Sequence, residues 1–281
     1  MSEKKTIDEL TLMDDYMFAQ VMRDTKNLKP LLEYILNIRI LKIELIEPQK
    51  TEKEGYDSKG VRMDLYVEDE EGTVYNVEVQ TTDRHNISKR MRYYQSIIDV
   101  SILAPGVDYR DLRRSYVIFI CNYDPYGKNR YIYTFENRCL ELPEIRFGDE
   151  TRKIVVNIKG SEGEISEELL EVIRYLNDGT VSGNYSHDLD NAVQTIKNSE
   201  ERRVEYMLQW VRDNELRAEG REEGREEGRQ EGAITEAIKL YREEMKMEPR
   251  EIVSKITCRF NLDPGTAETY VSDTLGIKKW C

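Results

Sequence analysis

Histidine is scarce in this chain: among 281 residues only His85 and His187 are of that type. With two histidines, neither a Ser-His-Asp nor a Cys-His constellation can be assembled. The four cysteines, Cys121, Cys139, Cys258 and Cys281, are widely scattered, with no paired-ligand spacing for structural zinc, and read as reduced thiols. Long apolar runs are missing too. Met1-Ser2-Glu3-Lys4-Lys5 leads into mixed-charge helical sequence, so the expectation is no signal peptide, no membrane span and a cytoplasmic protein. No glycine-rich phosphate loop precedes a helix. Positive charge is in deficit, with 42 Lys and Arg against 55 Asp and Glu and a net charge of -13. That argues against coating nucleic acid through bulk electrostatics, which depends on neutralising phosphates. An enzyme with a local basic patch and metal-binding carboxylates is not excluded.

What is present points to a folded chain. Charged residues make up 35 % and mean hydropathy is -0.69, but the apolar residues sit in short periodic runs, the pattern of a solvated surface with long exposed helices. The length suits one medium domain with an appendage. Leu10, Leu12, Met13, Met17, Phe18, Val21 and Met22 have helical spacing, and Pro30 opens a second helix before Leu31, Leu32, Ile35 and Leu36. Ile43 to Glu47 reads as a strand ended by Pro48. From Val61 the period becomes two, which predicts a half-buried strand, and a turn at Asp69 to Gly72 leads into a second strand from Val74 to Gln80. Ser88 to Leu103 is a helix packed on a sheet, with Met91, Tyr94, Ile97, Ile98 and Ile102 inward. Tyr116 to Cys121 suits a strand buried on both faces, and Arg130 to Thr134 and Ile154 to Ile158 are further strands. The first half is therefore α/β with a mixed sheet.

Beyond Gly160 the sequence turns helical. The expected division is a 1–160 core, a 161–218 helical extension, a 219–232 repeat and a small 233–281 helical cap. Ser166 caps a helix ending near Gly179, and another runs from about Leu189 to Leu216. The repeat has period four, with glycines at 220, 224, 228 and 232. On a helix it drifts by roughly 40° per repeat, setting rows of opposite charge side by side, with Glu222 and Glu226 placed to pair with Arg225 and Arg229. Each helical glycine costs about 1 kcal/mol relative to alanine. The glycine row either lets a second helix approach, giving a homodimer through the tail, or belongs to a solvated linker.

The hairpin carries the chemistry. A turn centred on residue 71 sets Asp64 opposite Glu78 on one face, joined by Gln80 two residues on. Opposed like charges are destabilising unless a cation or a function makes use of them; the alternative is an acidic strand face toward solvent. Two carboxylates on paired strands offer hard oxygen ligands to Mg²⁺, which polarises a phosphodiester and acidifies water.

Asp15-Tyr16-Met17-Phe18, Val61 to Val67, Val77-Glu78-Val79-Gln80, Arg90-Met91-Arg92-Tyr93-Tyr94 and Tyr133-Thr134-Phe135-Glu136-Asn137 resemble the recombination-promoting nuclease (Rpn) and transposase group of the PD-(D/E)XK superfamily. The resemblance spans about residues 7–160, and the glycine-glutamate-arginine tail is similar as well. It implies a restriction-endonuclease-like core followed by an all-helical tail, and a Mg²⁺-dependent endonuclease acting on double-stranded DNA in recombination or mobile-element activity. By the same resemblance Asp64 and Glu78 are the motif acids. Gln80 stands where the superfamily usually has lysine, a Glu-X-Gln variant typical of this group. Asp15 occupies the place of a first-helix acid that can help hold metal, with capping or exposure as the alternative. A neutral amide cannot supply the charge of lysine, so Lys89, Arg90 and Arg92 on the following helix are candidates for it and for DNA-backbone contact. For Lys89 a solvated helix face is the better reading; for Arg92 it is not. Tyr93 and Tyr94 read as packing, and His85 as a surface residue. The rival reading is a catalytically decayed DNA-binding or protein-interaction module of the same fold. No motif reads base edges, so no sequence preference follows.

Overall fold

The computed structural model describes residues 5–45, 65–103 and 106–277. The chain divides into two compact units, Met1–Tyr206 and Met207–Cys281.

The first unit is built on a six-stranded sheet of order β1-β2-β3-β4-β6-β5. Its strands are β1 (Ile43–Leu45), β2 (Leu65–Asp69), β3 (Val74–Gln80), β4 (Ser115–Cys121), β5 (Ile132–Phe135) and β6 (Thr151–Asn157). β3, β4 and β6 run parallel, and the other pairings are antiparallel, so the sheet is mixed. β2 and β3 form the expected hairpin. Asp69 Oδ1 accepts from the backbone N–H groups of Glu71 and Thr73, and Gly72 takes a left-handed φ of 79° that a side chain would resist. Leu65 pairs with Val77 and Tyr66 with Asn76, the register expected for a turn centred on residue 71. Asp64 itself, with the expected strand over Val61 to Asp64, lies outside the described residues, as does the end of the first strand at Pro48.

Helices cover both faces. On one lie α1 (Asp15–Met22), α2 (Thr25–Leu36), α4 (Glu167–Asp178) and α5 (Asn184–Lys197); on the other lies α3 (Ile87–Ile102). The period-two strands divide accordingly. Val67, Tyr75, Val77, Ile118 and Ile120 pack toward the first layer, and Tyr66, Val74, Val117 and Phe119 toward α3. Each fully buried side chain of this kind contributes about 1.5–3 kcal/mol. The first hairpin strand is therefore buried on both faces over Leu65 to Val67, not half-buried, because α3 closes the side that the alternation left polar.

Two helix boundaries differ from expectation. Asp24 caps α2, its carboxylate accepting from the Lys26 N–H at 3.0 Å, so Pro30 lies inside the helix at the cost of one backbone hydrogen bond. The helix expected over Leu189 to Leu216 is two, because the chain breaks at Asn198 and Ser199 between α5 and α6 (Glu200–Glu243). Ser166 does cap α4, with Oγ accepting from the Leu169 N–H at 3.1 Å, and Gly179 ends it at φ 78°.

In the second unit α6 runs through the repeat without a break. It packs its end, at Ile234, Ile238 and Tyr241, against α7 (Pro249–Phe260) and α8 (Pro264–Leu275). Among the described residues, a Cβ added at Gly220, Gly224, Gly228 or Gly232 would meet nothing within 4 Å. Glu226 and Arg229 form one of the two expected ion pairs; Glu222 and Arg225 do not pair among the described residues. Cys121, Cys139 and Cys258 are free thiols. Among the described residues no helix is long and apolar enough to cross a membrane.

Candidate active site

The carboxyl end of β3 opens into a cavity of about 270 Å³ lined by Asp15, Glu78, Gln80, Arg90 and Tyr94, together with Thr81, Thr82 and Arg84 of the following turn. Ligands in open α/β sheets bind at such strand ends. Glu78 is pinned in the middle of β3, opposite Phe119 of β4, and is only 3 % exposed. Burying a carboxylate demands hydrogen bonds. Asn76 Nδ2 donates to Glu78 Oε1 at 3.2 Å and Tyr94 donates its hydroxyl to Oε2 at 3.4 Å. Asn76 is itself fully buried, and among the described residues its Oδ1 has no partner.

Gln80 ends the strand. Its amide donates to the Thr82 carbonyl at 2.9 Å, and its carbonyl accepts from the Arg90 guanidinium. Arg90 comes from the first turn of α3 and donates to the Tyr94 hydroxyl at 3.1 Å, one helical turn along. Its guanidinium carbon lies 5.2 Å from the Phe119 ring centre and 5.6 Å from that of Tyr94, within cation–π range. Burial pulls its pKa down, but the Tyr94 hydrogen bond and the nearby Glu78 carboxylate outweigh this, so the net shift is upward.

Asp15 begins α1, and the preceding Asp14 occupies the cap position. Asp15 keeps contact with solvent, yet the surrounding walls raise its carboxyl above the usual carboxylate value, with Asp14 adding to the rise and Arg90 opposing it. The start of α1 thus converges on one cavity with the end of β3 and the start of α3, which follow one another in sequence.

Of the residues singled out from sequence, Asp15, Glu78, Gln80 and Arg90 meet here. Lys89 and Arg92 do not; both are exposed on α3 and line no part of the cavity. Tyr93 is 43 % exposed, whereas Tyr94 is core and cavity wall at once. His85 has its side chain 89 % exposed and pairs with Asp83 at 3.1 Å. Sequence reading missed Asn76, Thr81, Thr82 and Arg84. Asn76 was within reach, since alternation places it on the face of Glu78; the others belong to a turn with no period.

A family model described as PD-(D/E)XK nuclease family transposase matches residues 12–163, more than half of the chain. The chain belongs to that family. The match covers the whole sheet and every residue of the cavity, so this PD-(D/E)XK core is the six-stranded sheet with α1 to α3 around it. No curated protein and no solved structure matches the chain.

Family members typically use divalent metal. The groups lining the cavity that could bind a cation are oxygens, two of them carboxylates, beside the Arg84 and Arg90 guanidiniums, and such a set suits a hard divalent cation better than a soft one. Among the described residues no three His, Cys, Asp or Glu side chains group as a metal site.

Proposed function

We propose that this chain is a Mg²⁺-dependent endonuclease that hydrolyses phosphodiester bonds of double-stranded DNA. The observation that carries the reading is the convergence of Asp15, Glu78, Gln80 and Arg90 on one cavity at the end of β3. In this reading Asp64 completes the acid set. It is bonded to Leu65, whose partner across the hairpin is Val77, the neighbour of Glu78. Asp64, Glu78 and Asp15 would hold the cation, which when bound supplies charge to polarise the phosphodiester and acidify water.

The remaining work belongs to the chain's own groups. Gln80 is engaged at both ends of its amide, so its part is to aim Arg90 rather than to carry charge. Arg90 faces the cavity and would neutralise the negative charge that grows on the phosphoryl oxygens, the part a motif lysine plays elsewhere in the superfamily. Tyr94 and Asn76 hold the Glu78 carboxylate in one orientation. Lys89 and Arg92, on the solvent side of α3, fit contact with the flanking DNA backbone rather than with the reacting phosphate. Breaks made in this way would serve recombination or movement of genetic elements.

The test is nicking of supercoiled plasmid by purified protein with Mg²⁺ or EDTA, with Asp64→Asn and Glu78→Gln in parallel. Metal-dependent nicking abolished in both variants is the expected result. Equal nicking by parent and variants would reveal a contaminant, and DNA binding without cleavage by any form would leave the decayed binding module standing.

A further inference from the structure

A second, larger cavity of about 430 Å³ opens beside the candidate site at the carboxyl ends of β3, β4 and β6, and Thr81 lines both. Its size falls within the roughly 300–1,000 Å³ of small-molecule sites. The floor is apolar, made by the buried Leu12, Met13, Leu176 and Val193. Asn122 and Gln194 supply amides, each offering both donors and an acceptor.

The rim carries lysines. Lys5 is matched by Asp14 at 2.6 Å. Lys159 and Lys197 instead donate to neutral oxygens, the Asn177 side chain and the Asp8 backbone carbonyl, and among the described residues neither has a carboxylate within ion-pair distance. The acids of the lining are occupied: Asp14 by Lys5 and Thr11, Asp190 by the Tyr175 hydroxyl, and Asp178 by the Thr180 N–H.

These features together select a ligand class. An apolar floor is wasted on a bare anion, and poised lysines are wasted on an apolar molecule. A flat ring with polar edges attached to an anion uses both, while three nearby carboxylates disfavour a polyphosphate. We propose that this cavity binds a single nucleotide, its base on the apolar floor and its phosphate toward Lys159. The nucleotide is either an unstacked residue of the strand next to the reacting phosphodiester, which rests on the nuclease reading above, or a free monophosphate, which does not.

The experiment is calorimetric titration of the full chain in EDTA, where cleavage is silent. The probes are deoxycytidine monophosphate, deoxyadenosine monophosphate and a short single-stranded oligonucleotide. The proteins are the parent, Lys159→Ala, Gln194→Ala and the control Lys255→Ala on α7, which belongs to the second unit and lines no part of the cavity. Loss of one charged hydrogen bond weakens binding by about tenfold or more. Monophosphate binding weakened to that extent in Lys159→Ala and by about threefold or more in Gln194→Ala, whose amide is neutral, and unchanged in the control, supports the site with a free nucleotide. The same loss seen for the oligonucleotide alone supports the strand-borne nucleotide. No binding of any probe by the parent, or equal binding by all four proteins, overturns the proposal. Glu78→Gln nicking is read separately, so failure of the nuclease reading and failure of this one are distinguishable.

Discussion

Replacement of Arg90 is the most demanding test of the site. Its guanidinium donates to Gln80 and Tyr94 at once and lies over Phe119. A hydrogen bond from a charged donor is worth about 1.5–3 kcal/mol when buried, and partial exposure of Arg90 moves each toward or below the lower end. The ring contact adds about 0.5–1 kcal/mol. Part of this is cancelled because removal also ends the cost of burying a cation. Arg90→Ala should therefore lose about 2 kcal/mol, which at a slope of about 2 kcal/mol per molar is a urea midpoint lower by roughly 1 M. Loss of its charge from the reacting phosphate should slow plasmid nicking by about a hundredfold. Arg90→Lys keeps the charge but cannot reach both partners from one planar fork, so it should fall between the two proteins in both assays. With the cation gone, Asp15 and Glu78 are left uncompensated, and added Mg²⁺ should raise the midpoint of Arg90→Ala more than that of the parent. Parent-like stability and nicking in Arg90→Ala would refute the reasoning. A Lys variant indistinguishable from the parent would refute its geometric part and leave only the charge.

Other perturbations test separate links. The Asp15 carboxyl is raised above its ordinary value near 3.8, so folding disfavours its charged form, and its contribution to stability declines as pH climbs from that value through the folded one. Asp15→Asn should therefore be more stable than the parent above that window and converge with it in acid; coincident urea midpoints at every pH would contradict this. Ser166→Ala removes the α4 cap and should cost about 1 kcal/mol by urea unfolding, with no change in nicking, since Ser166 lies outside the cavity. Gly224→Ala and Gly228→Ala add methyl groups that meet nothing within 4 Å among the described residues and should each favour α6 by about 1 kcal/mol, read as greater helicity and a higher melting temperature. A fall instead would mean that a second helix, such as that of another copy, lies against the glycine row.

Several features could be read from local chemistry alone. The hairpin register follows from period-two alternation about the Asp69 to Gly72 turn, because a slip of one residue would turn every apolar side chain of β3 to the other face. The extent of α3 and the Ser166 and Gly179 caps of α4 follow in the same way from helical period and capping groups. That Glu78 and Gln80 share a face follows from the same alternation. Where spacing competed with capping it misled: Pro30 looked like a helix start, but the Asp24 carboxylate had already begun α2.

The tertiary structure decided which charges meet. Lys89, Arg90 and Arg92 are equivalent in sequence, yet successive helical positions turn by about 100°, so only Arg90 faces Gln80 while the other two face water. Alternation likewise made the second face of β2 and β3 look polar, and only the packing of α3 over it turned Glu78 into a buried carboxylate held by Asn76 and Tyr94. Asp15 reaches the same cavity from some sixty residues away because α1 packs on the opposite layer with its first turn at the end of β3. Periodicity assigns a side chain to a face of its own element; the packing of elements on one another determines what that face meets.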